Sequence, residues 1–313
     1  MTRYLLRRVL QAVVVLLGVS IIVFAILHLI PGDPVRVALG TRYDPDLAQA
    51  MRERAGLDRP LVVQYVTWLG NALTGDLGIS FRSGRPVTEI ILARLPATMT
   101  LAFAALVVAL AIALPLGILS AVRSGRAADY VATFFSQLGI SIPDFWMGIM
   151  LILLFSLVLG WLPPSGYVPL TEDPVGWAQR IVMPAVTIGV VSGSVLTRFT
   201  RSAVLEALSQ DYTRTARAKG LRERVVINRH VLKNALIPVV TVTGLQLAFL
   251  LGGVIVVEIV FALPGLGNLT LVAIRARDYT VLQGAVLLFA FFFLLINLVV
   301  DLLYAWLDPR IKY

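Results

Sequence analysis

Four stretches of this chain run without a charged residue for longer than the hydrocarbon core of a bilayer requires. Arg8 and Asp33 are separated by 24 uncharged residues, Arg94 and Arg123 by 28, Lys233 and Glu258 by 24, and Asp278 and Asp301 by 22. About 20 apolar residues in a helix cross a core of about 30 Å, and backbone in lipid has to satisfy its own hydrogen bonds. A chain with this pattern folds as a bundle of membrane helices. A fifth window, from Arg180 to Arg198, holds only 17 residues and predicts a span that is short or extended past its charged ends. Composition points the same way, with 58% hydrophobic and 14% charged residues against roughly 45–50% and 25% in soluble proteins.

Residues 131–160 are apolar but interrupted at Pro143-Asp144, so they read as one kinked span or two short ones. Charge decides between them, because Lys and Arg collect in short cytoplasmic loops. With six spans, residues 1–8, 123–129, 198–237 and 307–313 share one side and carry 16 basic residues against five acidic ones. On the other side the two signs nearly balance, and a seventh span would erase this asymmetry. The expectation is an all-α membrane protein of six transmembrane helices with both termini cytoplasmic. The opening Met1 to Arg8, followed by apolar Val9 to Ile30, has the outline of a signal peptide. Its apolar part is too long for one and lacks a small-x-small cleavage site, so it is expected to stay as the first span.

The loops are unequal. Residues 31–96 form an external segment long enough to fold, and Pro45 to Leu73 reads as two short amphipathic helices. Residues 198–237 form the main cytoplasmic excursion. This divides the chain into residues 1–96, a first helix with its external segment, and residues 97–313, a five-helix core containing the cytoplasmic loop.

Several chemistries are excluded. There is no cysteine, hence no disulfide or thiolate site, and His28 and His230 stand too far apart to suggest a metal centre. A P-loop needs Lys followed by Ser or Thr, whereas Lys219, Lys233 and Lys312 precede Gly220, Asn234 and Tyr313. The chain is therefore not expected to hydrolyse ATP itself. Nine basic residues in one loop could suit phosphates, but the loop is flanked by spans and lacks interleaved aromatics, so positive-inside anchoring and lipid headgroups are the better reading and no nucleic acid is expected.

Ionisable residues within spans are functional candidates. Asp301 lies near the cytoplasmic end of the last span, where it can snorkel or pair with Arg310. Asp144 follows the Pro143 break and either caps freed backbone N–H groups or lines a pathway. No relay of such groups is visible, which counts against a proton-coupled carrier. In the cytoplasmic loop, Asp211 is N-cap-like and Gly220 suits a helix C-cap. Thr215, Ala216, Ala218 and Gly220 keep the backbone between them slim, with Arg214, Arg217 and Lys219 around it. Such a helix fits a groove in another protein, although an ordinary interfacial helix would look the same.

At these residues the chain resembles the permease family of binding-protein-dependent ABC importers, in particular the first permease subunit of dipeptide and oligopeptide systems. The motifs run the length of the chain in order: Tyr4 to Arg8 and Pro31-Gly32-Asp33-Pro34, then Gly56 to Pro60, Gln64-Tyr65, Gly75-Asp76-Leu77-Gly78 and Leu95-Pro96-Ala97-Thr98. Ser141-Ile142-Pro143 with Phe145-Trp146, Arg201-Ser202 through Gly220, Glu258 through Gly267 and Leu307 to Arg310 complete the series.

The resemblance implies the type I importer fold and a coupling helix that docks in a cleft of an ATPase subunit. Coupling would fall to Asp211, Tyr212, Arg214, Thr215, Ala216, Arg217, Ala218, Lys219, Gly220 and Leu221. Aligned on Gly220, residues 214–216 stand where the wider family has Glu-Ala-Ala, and residues 230–233 where it has Ile-x-Leu-Pro. The Glu and the Pro are absent here, so a salt bridge of that Glu is not carried over. Glu258, Phe261, Pro264, Gly265 and Gly267 would form a re-entrant turn at an outer gate that also meets the binding protein. Implied partners are a second homologous permease, two ATPases that hold ATP and Mg, an external substrate-binding protein, membrane lipid and the peptide substrate. Permeases for nickel, glutathione and sugars share the architecture, and an ion-coupled carrier is the alternative of a different class.

Overall fold

The structure is a computed structural model that describes residues 2–29, 34–39 and 43–307. Pro31 to Asp33 and Asp308 to Arg310, read above as motif residues, lie outside the described residues, as does any pairing of Asp301 with Arg310. Among the described residues, five helical stretches are long and apolar enough to cross a membrane: Leu5–Ile26, Val87–Val122, Pro174–Ser209, Glu223–Leu250 and Tyr279–Leu303. A bent pair, Ala127–Ser141 and Asp144–Val158, makes a sixth if counted as one span. The chain folds as two compact units, residues 1–98 with 264–294 and residues 99–263 with 295–313.

In the first unit, helix α1 (Thr2–Leu29) is the N-terminal span and α2 (Pro34–Leu39) is a short turn of helix. The two helices expected between residues 45 and 73 are α3 (Pro45–Ala55) and α4 (Leu61–Leu73). The Asp44 carboxylate accepts the backbone N–H groups of Asp46 and Leu47, and Pro45 opens the helix where no N–H is needed. Gly56 closes it in the left-handed region, at φ 66°. Val87, Ile91, Leu266, Ala273, Val281 and Ala285 form the core of this unit. They bring the start of α5 (Val87–Val122) against α13 (Leu266–Ala276) and the start of α14 (Tyr279–Leu307).

The second unit is organised on α8 (Pro174–Ser209). The short fifth window becomes a 36-residue helix because the chain continues helically past both charged ends. Asp173 caps its start through the N–H groups of Val175 and Gly176, and Arg180 Nη1 donates to the Gly176 carbonyl at 3.0 Å. Small residues let neighbours approach closely, as is usual between membrane helices. A Cβ on Gly189 would lie 2.6 Å from Val108 Cβ, and one on Gly193 3.0 Å from the Ala109 carbonyl oxygen of α5. Ser136 of α6 (Ala127–Ser141) donates to the Ser194 carbonyl at 2.6 Å.

The interruption at 141–143 is a sharp break. Helix α6 meets α7 (Asp144–Leu151), which continues through a π-helical stretch Ile152–Val158, at 99°. Proline disfavours the helical region for the residue before it, and Ile142 and Pro143 are extended, with ψ of 123° and 135°. After α8 come α9 (Asp211–Ala218), α10 (Glu223–Val225), a π-helical turn Val226–Val231, α11 (Leu232–Gly253) and α12 (Ile255–Val260).

Candidate functional site

The loop singled out in the sequence is a short helix pinned on one face and open on the other. Helix α9 starts one residue earlier than expected: Gln210, extended at ψ 151°, takes the cap position, and Asp211 is the first helical residue. There its carboxylate faces the helix N-terminus favourably and pairs with Arg214 at 3.4 Å in full exposure. Thr213 is buried and donates from Oγ1 to the Ala207 carbonyl at 2.8 Å, tying α9 to the last turn of α8. Ala216, expected on the slim outer surface, points inward instead. It packs in a core with Ala121, Val204, Ala207, Val226, Val231 and Ala235. The helical period explains this, since positions 213 and 216 share a face.

The opposite face is open. Tyr212, Arg214, Thr215, Arg217, Ala218, Lys219, Gly220 and Leu221 are all exposed. Gly220 ends the helix at φ 76°, its N–H bonded to the Arg217 carbonyl and that of Leu221 to Ala216, the left-handed cap expected of it. Arg217 holds Glu223 through two bonds, Nη2 to Oε1 at 2.7 Å and Nε to Oε2 at 3.1 Å, which also raises the guanidinium pKa. This bridge closes the turn between α9 and α10 and leaves Arg214 and Lys219 as outward charge.

Behind the helix lies a polar cluster that sequence reasoning missed. Arg201 of α8 reaches Asp129 of α6 with Nε to Oδ1 at 2.7 Å and Nη2 to Oδ2 at 2.8 Å. Ser120 and the Gly125 N–H also donate to the Asp129 carboxylate. The cluster joins the end of α5, the 123–126 turn, α6 and α8. In the sequence Asp129 is one acidic residue in a basic loop, and only its tight spacing after Ser124-Gly125 hinted at a turn that could bury it.

The residues expected at an outer gate fall differently from expectation. In the second unit Glu258 is fully buried on α12 and Phe261 nearly so. The Phe261 ring lies against α7 where Gly148 leaves room, and a Cβ there would be 3.1 Å from Phe261 Cε2. Neither side chain is open to a docking protein. The tight turn is made by Ala262, left-handed at φ 50°, and closed by the Leu263 N–H to the Glu258 carbonyl at 2.8 Å. The glycines do not make it. Gly265, with ψ 179°, is the extended cap of α13, and Gly267 is buried within that helix. After Pro264, the Leu266 N–H is held by Thr98 Oγ1 at 2.8 Å. Pro143 is the extended cap of α7 and Asp144 its first residue, half-buried, and no side-chain bond caps the helix there. The capping role considered for Asp144 is not what the structure has.

The first unit holds a pocket of about 590 Å3 of empty space, open to solvent. Arg82, Arg85 and Arg94 lie around an apolar lining that includes Ile90, Leu269 and Val281. Its one carboxylate, Asp278, is buried and engaged by Ser80 and Thr280 hydroxyls. Arg85 pairs with Glu89 at 3.6 Å, while Arg82 and Arg94 carry no ion pair among the described residues.

Residues 113–313 match the family model for the binding-protein-dependent transport system inner membrane component, and residues 1–102 match the model of its N-terminal region. The chain belongs to this family. Among its relatives are a putative peptide transport system permease protein of Brucella abortus (strain 2308), 42% identical with both chains fully covered, and the glutathione transport system permease GsiC of Salmonella choleraesuis, 45% identical over the same extent. The oligopeptide transport system permease AppB of Bacillus subtilis is 43% identical, again over both whole chains. The inward-facing structure of the MetNI methionine ABC transporter shares the fold at 19% identity, with a TM-score of 0.56 over 70% of this chain and 96% of that one. The chain is thus a multi-pass membrane permease component of ABC importer type.

Proposed function

We propose that this chain forms half of the pore of an ATP-driven importer of dipeptides or oligopeptides, with both termini in the cytoplasm. A second homologous permease completes the pore, two ATPase subunits hold ATP and Mg, and an external binding protein delivers the peptide. The carrying observation is α9, with Thr213 and Ala216 fastened to the bundle while Arg214, Lys219 and Leu221 face outward. A helix held this way passes displacement on. When the ATPases close, a push on the outer face of α9 moves the last turn of α8 through the Thr213–Ala207 bond, and the Arg201–Asp129 pair carries α6 along. Alternation between outward and inward openings follows from such coupled, rigid-body movement.

Peptide as cargo is supported by the names of the Brucella and Bacillus relatives, and the GsiC relatives favour glutathione as a second reading. Glutathione is itself a small peptide, so the two differ in pocket detail and not in transport chemistry. The test is ATP hydrolysis by the reconstituted complex with binding protein loaded with peptides or with glutathione. Stimulation by peptides, lost in Gly220→Trp while the complex still assembles, is expected. Stimulation by glutathione alone would move the cargo, and failure of any ATPase to assemble would remove the whole assignment.

A further inference from the structure

Helix α4 belongs to the segment between the first two spans, which the sequence places outside the membrane. Its thirteen residues, Leu61 to Leu73, include no charged side chain. Neighbouring α3 carries Asp46, Arg52, Glu53 and Arg54 in eleven residues. At 100° per residue, Val62, Val66 and Leu73 share one face, and they are 73%, 61% and 82% exposed. Thr67, Asn71 and Gln64 form a narrow uncharged polar strip on the far side of the helix. In water such a face is a liability.

The other side of α4 fixes its depth. It packs along α1 through contacts that descend from His28 into the apolar span. His28 Nε2 lies 3.2 Å from Gln64 Oε1, the Phe24 ring stacks near Tyr65 and Trp68 with centroids 5.4 and 6.2 Å away, and Tyr65 Oη is 2.8 Å from Ser20 Oγ. Ser20 is six residues inside the end of the apolar stretch at Ile26, about 9 Å at 1.5 Å per residue. Its hydroxyl is almost fully covered. Ser20 Oγ donates to the Leu17 carbonyl at 2.8 Å and is left to accept from Tyr65, so both hydroxyls find partners within the protein at that depth. The exposed apolar face of α4 thus belongs to a helix packed on the end of an apolar span, whose own Val14, Ile21 and Ile22 are also uncovered.

We propose that α4 lies embedded in the leaflet that holds the last two turns of α1, with Val62, Val66 and Leu73 in contact with lipid acyl chains. Residues 61–73 are then a membrane anchor for the external segment and leave binding-protein docking to other parts of it.

Because the chain has no cysteine, spin labels can be placed singly. Val66→Cys in the full transporter complex, labelled with a nitroxide and reconstituted in phospholipid vesicles, is compared with Val14→Cys on α1 and Asp46→Cys on α3. The Val66 label is expected to match Val14, with high collision frequency for oxygen and several-fold lower frequency for a water-soluble nickel chelate than Asp46. Nickel access equal to that at Asp46 would put α4 in water and overturn the proposal. Exclusion of both reagents would overturn it too, since the face would then be covered by protein, the second permease or the binding protein. Leu73→Cys gives an independent reading if the Val66 variant assembles poorly.

Discussion

Arg201 and Asp129, 72 positions apart, meet side-on with both carboxylate oxygens engaged, at 2.7 and 2.8 Å. Asp129 is almost wholly buried and Arg201 about one-third exposed, so removing the cation strands a charge in a poorly hydrated place. Arg201→Met is expected to cost on the order of 3 kcal/mol, and the double variant with Asp129→Leu to recover most of it, because an apolar pair needs no desolvation. Thermal unfolding of the purified complex checks this. A double variant no more stable than the single would mean that the pair is not the source of the loss.

The Thr213 bond is expected to matter more for coupling than for stability. Thr213→Val keeps the shape but leaves the Ala207 carbonyl with only the longer bond from the Gln210 N–H, at 3.4 Å, a loss of about 1 kcal/mol. Peptide moved per ATP hydrolysed should fall while the melting midpoint barely shifts. Unchanged coupling would show that α9 transmits motion by packing alone.

At Gly220 the space that a Cβ would enter is empty, so strain comes from φ 76° and not from contact. Gly220→Ala is expected to cost about 1–2 kcal/mol locally and retain peptide-stimulated hydrolysis, whereas Gly220→Trp abolishes it by filling the docking face. Equal loss in both would assign the glycine a conformational role only.

The Gly189 contact is of a different kind. A methyl there would stand 2.6 Å from Val108 Cβ and 3.0 Å from the Ala105 carbonyl oxygen, and backbone cannot step aside as a long side chain does. Gly189→Ala should destabilise by about 1–3 kcal/mol and reduce the yield of assembled complex, as gel filtration in detergent would report. A wild-type melting curve would show that α5 and α8 have slack.

In the pocket of the first unit, Arg82 and Arg94 offer charge that no carboxylate among the described residues answers. Arg82→Glu with Arg94→Glu is expected to slow association of the binding protein at low salt, with the difference vanishing at high salt. Surface-capture kinetics at two ionic strengths would show it, and identical rates at low salt would exclude the pocket from docking.

Much of this was legible in one dimension. Lipid imposes a length and bars unpaired charge, so the 22- to 28-residue windows are nearly a direct image of the spans. Local backbone chemistry carried the rest of that reading: Gly220 caps α9, and proline breaks the 131–160 stretch. What sequence could not supply were relationships between distant residues. The inward turn of Ala216 depends on which face of α9 meets α8. The left-handed turn at Ala262, where the glycines nearby seemed better suited, depends on the seat of Phe261 against Gly148. The Arg201–Asp129 pair and the Ser20–Tyr65 contact join segments whose charges and hydroxyls look ordinary alone. By itself the sequence determined the medium, the apolar centres of the spans and several of the breaks between them, because those are set within a few residues by lipid and local sterics. Which faces are buried, which charges are paired and how α4 sits along α1 were decided only by the tertiary structure, because those depend on packing between segments far apart in the chain.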